Sequence, residues 1–413
     1  MRPVLVINSG SSSVKYALVD PRSGERPAIG LIERIGEAEG RISHRAVAGD
    51  GSVEDVVEVR RVADHSEAFA LMDEAFATAG PHGPDYEPVA VGHRVVHGGD
   101  RFAAPALITP EVVAAIEACV PLAPLHNPAN LLGIRAVLAD RPGLPQVAVF
   151  DTAFHQSLAP AAYTYAVDRG TAEQHRIRRY GFHGTSHAYV SRAAAEYLRD
   201  EHGVPVESSR IVTLHLGNGA SACAVLGGSS VDTSMGLTPL EGLVMGTRSG
   251  DLDPAVIPYL VRSAGLDVES VDALLNKRSG LLGLCGNNDM RTVLDRVAAG
   301  DAAATLALDV YVHRIRHYVG AYLAVLGGLD ALVFTGGVGE NAAPVRERVC
   351  AGWDDLGIGI DPQANAGRGA ADGRDAGPVR DVSATGSRTR VLVVRTDEER
   401  EIAMAAVTVA GVA

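Results

Sequence analysis

Two segments that lie far apart in the chain repeat one pattern of apolar runs around a turn of small residues. In the first segment, mostly apolar runs at 4–7 and 14–19 flank a turn of Asn, Gly and Ser residues. In the second segment, runs at 211–216 and 222–226 flank a turn of Gly, Asn, Ala and Ser residues. Short apolar runs bounded by turn residues predict strands, so each segment predicts a β-hairpin. A hairpin that recurs within one chain indicates an internally duplicated fold.

Chain length sets the expected number of domains. At 413 residues the chain exceeds what one hydrophobic core usually serves, and its hydrophobic share of 46% is enough for two cores. We therefore expect two domains.

The charge balance and the lack of long apolar runs exclude several classes of protein. Acidic residues outnumber basic ones by 50 to 37, which argues against nucleic acid as the main partner. No apolar run is long enough to span a bilayer, and the apolar stretch after Pro3 is too short for a signal peptide, so we expect no membrane partner. The four cysteines are widely spaced and form no C-x-x-C pair, which favours a reducing, cytoplasmic location.

Further predicted strands and helices mix along the chain as in α/β proteins. An apolar run at 331–334 predicts a strand that enters a glycine-rich turn. Another run at 390–394 predicts a late strand that delivers acidic residues to an edge or cleft before a closing helix. Thr109 followed by Pro110 predicts the start of a helix. The segment 361–377 has almost no apolar residues and predicts a solvated surface loop.

The small-residue turns present backbone N–H groups and hydroxyls that suit phosphate oxygens. Three such turns favour a nucleotide ligand, and Lys15, just beyond the first turn, would neutralise a phosphate as a point charge. An ordinary hairpin is the alternative interpretation of any one turn. Neither Lys15 nor Lys277 follows a glycine, so the sequence has no P-loop, and no G-x-G-x-x-G opens a helix after a strand.

Two arginines flanked by glycines are candidate anion ligands. Glycines around Arg94 and Arg248 free the backbone to bring a planar guanidinium close to carboxylate or phosphoryl oxygens. His183, also near glycines, is an accessible donor to charge that develops on a transferring group. In a chain this rich in arginine, a solvated or structural role is the alternative for each arginine. His313 and His317 have helical spacing, but the arginines between them favour a structural helix face over zinc.

Two carboxylates follow predicted strands. Asp151 follows the apolar run 147–150, at the edge where open α/β sheets bind ligands. Positioning a cation or a nucleophile and capping a helix are equally consistent with that place. Glu398, after the late strand, offers a hard oxygen ligand for Mg²⁺, which phosphoryl transfer from ATP requires.

Six extended motifs occur along nearly the whole chain, at 8–16, 92–99, 150–155, 180–187, 245–253 and 334–341. Together they resemble the acetate kinase family. The resemblance implies an α/β, duplicated ribonuclease H-like fold, shared with actin, sugar kinases and chaperone ATPases, with two domains around a nucleotide cleft. It implies an N-terminal domain at 1–153, completed by a C-terminal helix at 398–413, and a nucleotide-binding domain at 154–397.

The resemblance also implies roles for individual residues in an ATP-dependent phosphotransferase. The implied catalytic residues are Asp151, His183, Arg248, Arg94 and Asn218. The implied binding residues for the small acid are Arg94, His126 and a small apolar pocket of Val96, Leu125, Phe182 and Pro239. The implied ATP or ADP ligands are Ser11, Ser13, Lys15, His215, Leu216, Gly217, Asn218, Gly219, Asp289, Met290, Arg291, Gly337, Val338, Gly339, Glu340 and Asn341. The implied ligands of Mg²⁺, or of Mn²⁺ in its place, are Asn8 and Glu398.

The implied reaction is the reversible, direct in-line transfer of the ATP γ-phosphoryl group to the carboxylate of acetate, giving acetyl phosphate and ADP. A propionate kinase or another short-chain carboxylate kinase of the same family is the alternative. Because acetate is already an anion at neutral pH, it needs no base. We therefore interpret Asp151 as an orienter of metal-bound water or of Arg94. A homodimer is implied by the resemblance as well.

Two other functions fit the nucleotide turns. A sugar or polyol kinase would use Asp151 to deprotonate a hydroxyl, but a hydroxyl substrate gives no reason for two glycine-flanked arginines. An ATP-switched binding protein would keep the turns, lack a small-acid pocket and hydrolyse ATP slowly without an acceptor.

Overall fold

The computed structural model describes residues 2–47, 51–367 and 378–412. The chain divides into two compact units. The first unit comprises Met1–Gln156 and Asp397–Ala413, and the second comprises Ser157–Thr396.

Each unit is built on one β-sheet with helices around it. The strands are β1 (Val4–Ser9), β2 (Ser13–Val19), β3 (Ala28–Glu33), β4 (Gly40–Val47), β5 (Val53–Arg60), β6 (Ala90–Val95), β7 (Ala106–Leu107), β8 (Gln146–Phe150), β9 (Arg210–Leu216), β10 (Ala220–Leu226), β11 (Ser229–Thr233), β12 (Ala331–Thr335), β13 (Val379–Asp381) and β14 (Arg390–Val394). The helices are α1 (His65–Ala79), α2 (Pro110–Glu117), α3 (Asn127–Asp140), α4 (Pro160–Tyr163), α5 (Arg169–His175), α6 (Gly184–His202), α7 (Val256–Ala264), α8 (Val268–Lys277), α9 (Gly280–Cys285), α10 (Met290–Ala298), α11 (Ala302–Leu326), α12 (Gly336–Asn341), α13 (Ala343–Cys350), α14 (Pro362–Ala366) and α15 (Glu398–Ala410).

The two sheets share one strand order, which confirms the predicted duplication. Among the described residues, the first sheet runs β5-β4-β3-β2-β1-β6-β8-β7 and the second runs β11-β10-β9-β12-β14-β13. In each sheet an antiparallel hairpin, β1-β2 or β9-β10, is followed on one side by an antiparallel third strand. On the other side two parallel strands follow, β6 and β8 in the first unit and β12 and β14 in the second.

The first sheet is covered on both faces. Helix α15 packs on one face, where Ile402 and Val407 join a buried cluster with Val4 and Val149. Helices α1 and α3 contribute to a second buried cluster that includes β1 and β2. A Cβ at Gly92 in β6 would lie 2.5 Å from the Ile402 side chain, so only glycine lets α15 approach this closely. The central strands read as nearly continuous apolar runs because both of their faces are buried.

Several local predictions are confirmed, and two are wrong. Thr109 caps α2, and the late strand and closing helix form as β14 and α15. The glycine-rich segment after β12 is a short helix, α12, instead of an open turn. The described start of segment 361–377 holds helix α14, because Asp361 caps it and Pro362 occupies its first turn. Residues 368–377 lie outside the described residues.

No helix in the described ranges combines the length and the apolar character needed to cross a membrane.

Candidate active site

Arg94 and Asp151 form a two-point ion pair in the first unit. Arg94 lies near the end of β6, and Asp151 follows the adjacent parallel strand β8. The Nε and Nη2 groups of Arg94 donate to the two carboxylate oxygens of Asp151, at 2.9 and 2.8 Å. The Asp151 side chain is only 3% exposed. A buried, bidentate carboxylate of this kind fixes the plane of the guanidinium.

The rest of the Arg94 guanidinium remains available for a ligand. The charge of Asp151 raises the pKa of Arg94, and this outweighs the effect of burial, which lowers it. Arg94 is therefore cationic at any working pH. Its Nη1 group donates to no residue in the described ranges, and Glu398 lies 4.0 Å from Nε. The free edge of a fixed guanidinium is a site for a second carboxylate.

Two asparagines that the sequence analysis did not single out hold the loop after β6. Asn127 of α3 accepts from the backbone N–H of His97 at 3.1 Å and donates to its carbonyl at 2.9 Å. One turn later, Asn130 accepts from the backbone N–H of Val96 at 3.0 Å and donates to the carbonyl of Ser9 at 2.7 Å. Helix α3 thus fixes the position of Val96 relative to Ser9, the last residue of β1.

Three successive acidic residues open α15, and only one lacks a close cation. Asp397 caps the helix and pairs with Arg26 at 2.5 Å. Glu399 pairs with Lys15 at 2.6 Å and with Arg26 at 2.8 Å. Burial raises the pKa of Glu399, but the two cations lower it by more, so the pKa lies below its usual range. Within the described part of the chain, the cation nearest to Glu398 is Arg94 at 4.0 Å, so of these three carboxylates Glu398 is the one left to bind a cation.

Glu398 and Asn8 carry the kinds of oxygen donor that a hard divalent ion takes. A carboxylate from Glu398 and an amide oxygen from Asn8, at the end of β1, are the oxygen ligands that Mg²⁺ takes alongside phosphate and water. The described residues contain no cluster of three or more His, Cys, Asp or Glu side chains that would form a closed metal cage. Lys15, which the resemblance implies as a phosphate ligand, pairs with Glu399, the residue after Glu398.

Arg248 in the second unit has no carboxylate partner among the described residues. Its Nη1 group donates to the carbonyl of Pro239 at 3.3 Å and lies 3.7 Å from the sulfur of Met245. Burial lowers the pKa of Arg248, and no acidic group opposes that effect. A partly buried cation without a counter-ion is a site prepared for an anion.

His183 lies next to Arg248 in this unit. It precedes α6 in the left-handed conformation, with φ 57°. A Cβ at Gly219 would lie 3.5 Å from Nη1 of Arg248 and 3.5 Å from Nε2 of His183. The space above Gly219 is therefore bordered by a guanidinium nitrogen and an imidazole nitrogen, which is an arrangement suited to a phosphoryl group when the imidazole nitrogen carries a proton. The ring of His183 also stacks on His215 at 4.3 Å.

The predicted nucleotide residues of the second unit lie on four separate elements. His215 and Leu216 end β9, and Gly217, Asn218 and Gly219 form the turn to β10. Asn218 accepts from Asn288 at 3.2 Å. Asp289 caps α10 and pairs with Arg291 at 2.6 Å, beside Met290. The remaining predicted residues are all in α12: Gly337, Val338, Gly339, Glu340 and Asn341.

A buried arginine that the sequence analysis did not single out holds α12. Arg346 of α13 is 1% exposed and donates to the carbonyls of Gly339 and Glu340 and to Asn365 of α14. Burial lowers the pKa of Arg346 to about 10, and the charge of Arg380 adds to this effect. Helix α14, which the sequence analysis predicted to be a solvated loop, therefore supports the helix that carries the predicted adenosine ligands.

The other predicted substrate residues are placed within their own units. Val96 is half-buried after β6, and His126 is the residue before α3. Leu125 is 50% exposed. In the second unit Phe182 is fully buried, whereas Pro239 is half-buried and its carbonyl accepts from Arg248.

Comparison with known proteins matches this chain to a protein family. The family model described as the acetokinase family matches residues 3–404. The chain belongs to the acetokinase family. An acetate kinase from Leifsonia xyli is 58% identical over 403 residues, which cover 98% of this chain and 98% of the relative.

Among the solved structures similar to this acetokinase-family chain are proteins named for two different acids. An acetate kinase from Porphyromonas gingivalis has a TM-score of 0.90 and 43% identity, with coverage of 99% of this chain and 100% of that chain. A propionate kinase from Francisella tularensis has a TM-score of 0.88 and 40% identity, with the same coverage. The fold is thus shared by proteins named for acids that differ by one methylene.

Proposed function

We propose that the protein is an acetate kinase, which transfers the γ-phosphoryl group of ATP to acetate. The observation that carries the proposal is Arg248, a partly buried cation without a described carboxylate partner, next to His183 and above Gly219. Relatives named acetate kinase at 54% to 58% identity over nearly the whole chain support acetate as the acceptor.

In the proposed reaction, an acetate oxygen attacks the γ-phosphorus in line with the bond to the β-phosphate. The new C–O–P link forms as that bond breaks, and ADP leaves with the electron pair. Because the transition state spreads negative charge over three equatorial oxygens, the protein's task is to align the reactants and supply cations and donors. Arg248, His183 and Asn218 supply donors to the phosphoryl group.

Arg94 binds the acetate carboxylate through the edge that Asp151 leaves open. Asp151 acts as the orienter of Arg94, because both of its carboxylate oxygens accept from that guanidinium. A carboxylate engaged in this way has little reason to take a proton from a substrate that is already ionised. The small apolar pocket that the resemblance implies would limit the length of the acid.

Nucleotide and metal binding complete the proposal. Asn8 and Glu398 would hold Mg²⁺, with Mn²⁺ as a substitute, and the ion would neutralise charge on the phosphate oxygens. Ser11, Ser13, Lys15 and the turn 215–219 line the phosphates. The segments 289–291 and 337–341 hold the adenosine.

A hydroxylamine trap tests the function and the acid preference together. The protein is incubated with ATP, Mg²⁺ and hydroxylamine in the presence of acetate, propionate or butyrate, and acyl hydroxamate is measured. We expect product with acetate, a lower catalytic efficiency with propionate and little product with butyrate, since one methylene changes binding by about 1 to 3 kcal/mol. A higher efficiency with propionate would identify a propionate kinase. No hydroxamate with any of the three acids would contradict the kinase proposal.

The same assay separates the rival functions. A sugar or polyol kinase would consume ATP with a polyol and form no hydroxamate. An ATP-switched binding protein would hydrolyse ATP slowly, at a rate that acetate does not change. The Arg94–Asp151 pair favours the carboxylate acceptor, because it presents a cationic edge where a sugar kinase needs a base.

We expect the open space above Gly219 to be essential for turnover. A Cβ at this position meets only ordinary contacts at 3.5 Å, so Gly219→Ala leaves the fold intact. The methyl group occupies the place between Arg248 and His183, and we expect turnover to fall by about a hundredfold or more. Gly320→Ala in α11, where a Cβ meets no atom within 4 Å, is the matched control and keeps full turnover. Full activity of Gly219→Ala would show that the phosphoryl group does not occupy this space.

We also infer a homodimer and a cytoplasmic location. Helix α7 has no buried residue, although its sequence includes Ile257 and Tyr259, which are 39% and 61% exposed. A second copy of the chain is the occupant we propose for this apolar face, in line with the resemblance. Sedimentation is expected to give twice the mass of one chain, and Tyr259→Asp is expected to give a monomer. A monomeric wild-type protein would contradict the dimer.

The four cysteines support the cytoplasmic location. All four are buried, lie in the described ranges and form no disulfide, which is typical of a protein in a reducing compartment.

A further inference from the structure

We propose that Thr213, His187 and Ser221 form a positioning chain that fixes the proton of His183 on Nε2, the atom that faces Arg248 across Gly219. The inference rests on the proposed function, since it takes His183 as a donor to the transferring phosphoryl group. It concerns three residues to which the predicted site assigned no role.

The chain consists of three successive hydrogen bonds. Oγ1 of Thr213, in β9, lies 2.7 Å from Nδ1 of His187, one turn into α6. Nε2 of His187 lies 2.8 Å from Oγ of Ser221, in β10. The same Ser221 oxygen lies 2.8 Å from Nδ1 of His183. Thr213, His187 and Ser221 are each 0% exposed, so water does not replace any of these partners.

Counting hydrogens shows which group donates in each bond of the positioning chain. Within the described residues the Ser221 hydroxyl bonds only to these two rings, so its one hydrogen goes to one ring and it accepts from the other. If His183 donated from Nδ1, then Ser221 would donate to His187, and His187 would donate to Thr213. The Thr213 hydroxyl would then need a further acceptor, and within the described residues its side chain bonds only to His187. A buried hydroxyl without an acceptor is costly.

The opposite direction satisfies every group. Thr213 donates to Nδ1 of His187, His187 donates from Nε2 to Ser221, and Ser221 donates to Nδ1 of His183. His183 then carries its own hydrogen on Nε2, which lies 3.5 Å from the Cβ position of Gly219. An imidazole presents either a donor or a lone pair, according to the bond made by its other nitrogen. A lone pair at Nε2 would repel a phosphoryl oxygen, so the direction of the chain determines whether His183 helps the transfer.

A distant substitution tests the chain without touching His183. Thr213→Val keeps the shape of the buried side chain and removes the hydroxyl that sets the direction. We expect kcat to fall by about tenfold, with KM for ATP and for acetate changed by less than about twofold. The matched control is Thr233→Val in β11, which lies on the other side of β10 from β9. The buried hydroxyl of Thr233 donates to the carbonyl of Ala222 at 3.2 Å and makes no described hydrogen bond to Thr213, His187, Ser221 or His183. The control is expected to leave kcat unchanged.

A double-mutant cycle separates positioning from general damage. His183→Ala is expected to lower kcat by about a hundredfold, and Thr213→Val added to it is expected to cost nothing more, since the chain acts only through His183. A second tenfold loss in the double variant would overturn the proposal. An unchanged kcat in Thr213→Val itself would overturn it as well.

The imidazole ¹⁵N spectrum reads the proton position directly and needs no turnover. The His183 signals are assigned by their loss in His183→Ala. We expect the Nε2–H tautomer in the wild-type protein and a mixture of tautomers in Thr213→Val. An Nδ1–H tautomer in the wild-type protein would contradict the chain even if acyl hydroxamate forms. A wild-type protein that forms no hydroxamate but shows the Nε2–H tautomer would contradict the proposed function alone.

Discussion

Arg248→Ala is expected to lower kcat by about a thousandfold or more while the protein stays folded. Arg248 meets no carboxylate among the described residues, so its charge is available to the transferring phosphoryl group. An arginine that stabilises this charge is worth about three to five orders of magnitude in turnover. Because no ion pair is broken, the midpoint of thermal unfolding should change little.

Steady-state kinetics and thermal unfolding check this expectation together. Arg169→Ala is the matched control, since Arg169 is 90% exposed and pairs with Glu173 on the surface of α5. Added guanidinium ion should restore part of the turnover of Arg248→Ala and none in a variant that has lost its fold. Turnover within tenfold of the wild-type value would mean that Arg248 does not contact the phosphoryl group.

Arg94→Ala is expected to lose both activity and stability. Turnover with acetate should fall by about a thousandfold, because the substrate carboxylate loses its cation. The free energy of unfolding should fall by about 3 to 5 kcal/mol, because the buried Asp151 carboxylate loses its two hydrogen bonds from Arg94. Denaturant unfolding measures the second effect.

Two comparisons separate these effects. Arg135→Ala breaks an exposed pair with Glu117 and should cost less than about 1 kcal/mol. The double variant Arg94→Ala, Asp151→Ala should recover part of the lost stability and none of the activity. If Arg94→Ala unfolds no more easily than Arg135→Ala, Asp151 does not depend on Arg94, and its role as an orienter is wrong.

Asp151→Asn separates the orienter from a base. Asparagine keeps one acceptor for Arg94, so we expect turnover to fall but remain measurable. The ratio of variant to wild-type turnover should not change with the pKa of the acceptor acid across a series of short carboxylates, since each is already ionised. Complete loss of activity with unchanged Mg²⁺ dependence, or a ratio that follows the acceptor pKa, would make Asp151 a base.

Local patterns in the sequence predicted the strands and the duplication because each β-hairpin is defined by neighbouring residues. The apolar runs and small-residue turns of β1-β2 and β9-β10 are complete within about twenty residues each. The bidentate geometry of Arg94 and Asp151 was not predictable from the pattern, because it depends on β6 and β8 pairing in parallel across a long connection. The sequence placed Asp151 after a strand and named Arg94 as one group that it orients, but it gave no geometry for the contact.

Partners that are distant in the sequence account for what was missed. The ion pair of Lys15 with Glu399 joins opposite ends of the chain, so the place of Lys15 beside the first turn gave no sign of it. Helix α12 forms from a glycine-rich segment because the buried Arg346 holds its carbonyls, and tertiary context overrides the low helix propensity of glycine. Thr213 and Ser221 contact His187 only once β9 and β10 pack beside α6.

Acetate labelled with ¹⁸O in both oxygens tests the central claim most directly. If an acetate oxygen attacks the γ-phosphorus, the acetyl phosphate that forms carries one ¹⁸O atom bound to phosphorus. The ³¹P signal of that product should then show the isotope shift of a single ¹⁸O substitution. Acetyl phosphate without ¹⁸O on phosphorus, or no acetyl phosphate at all, would contradict the account.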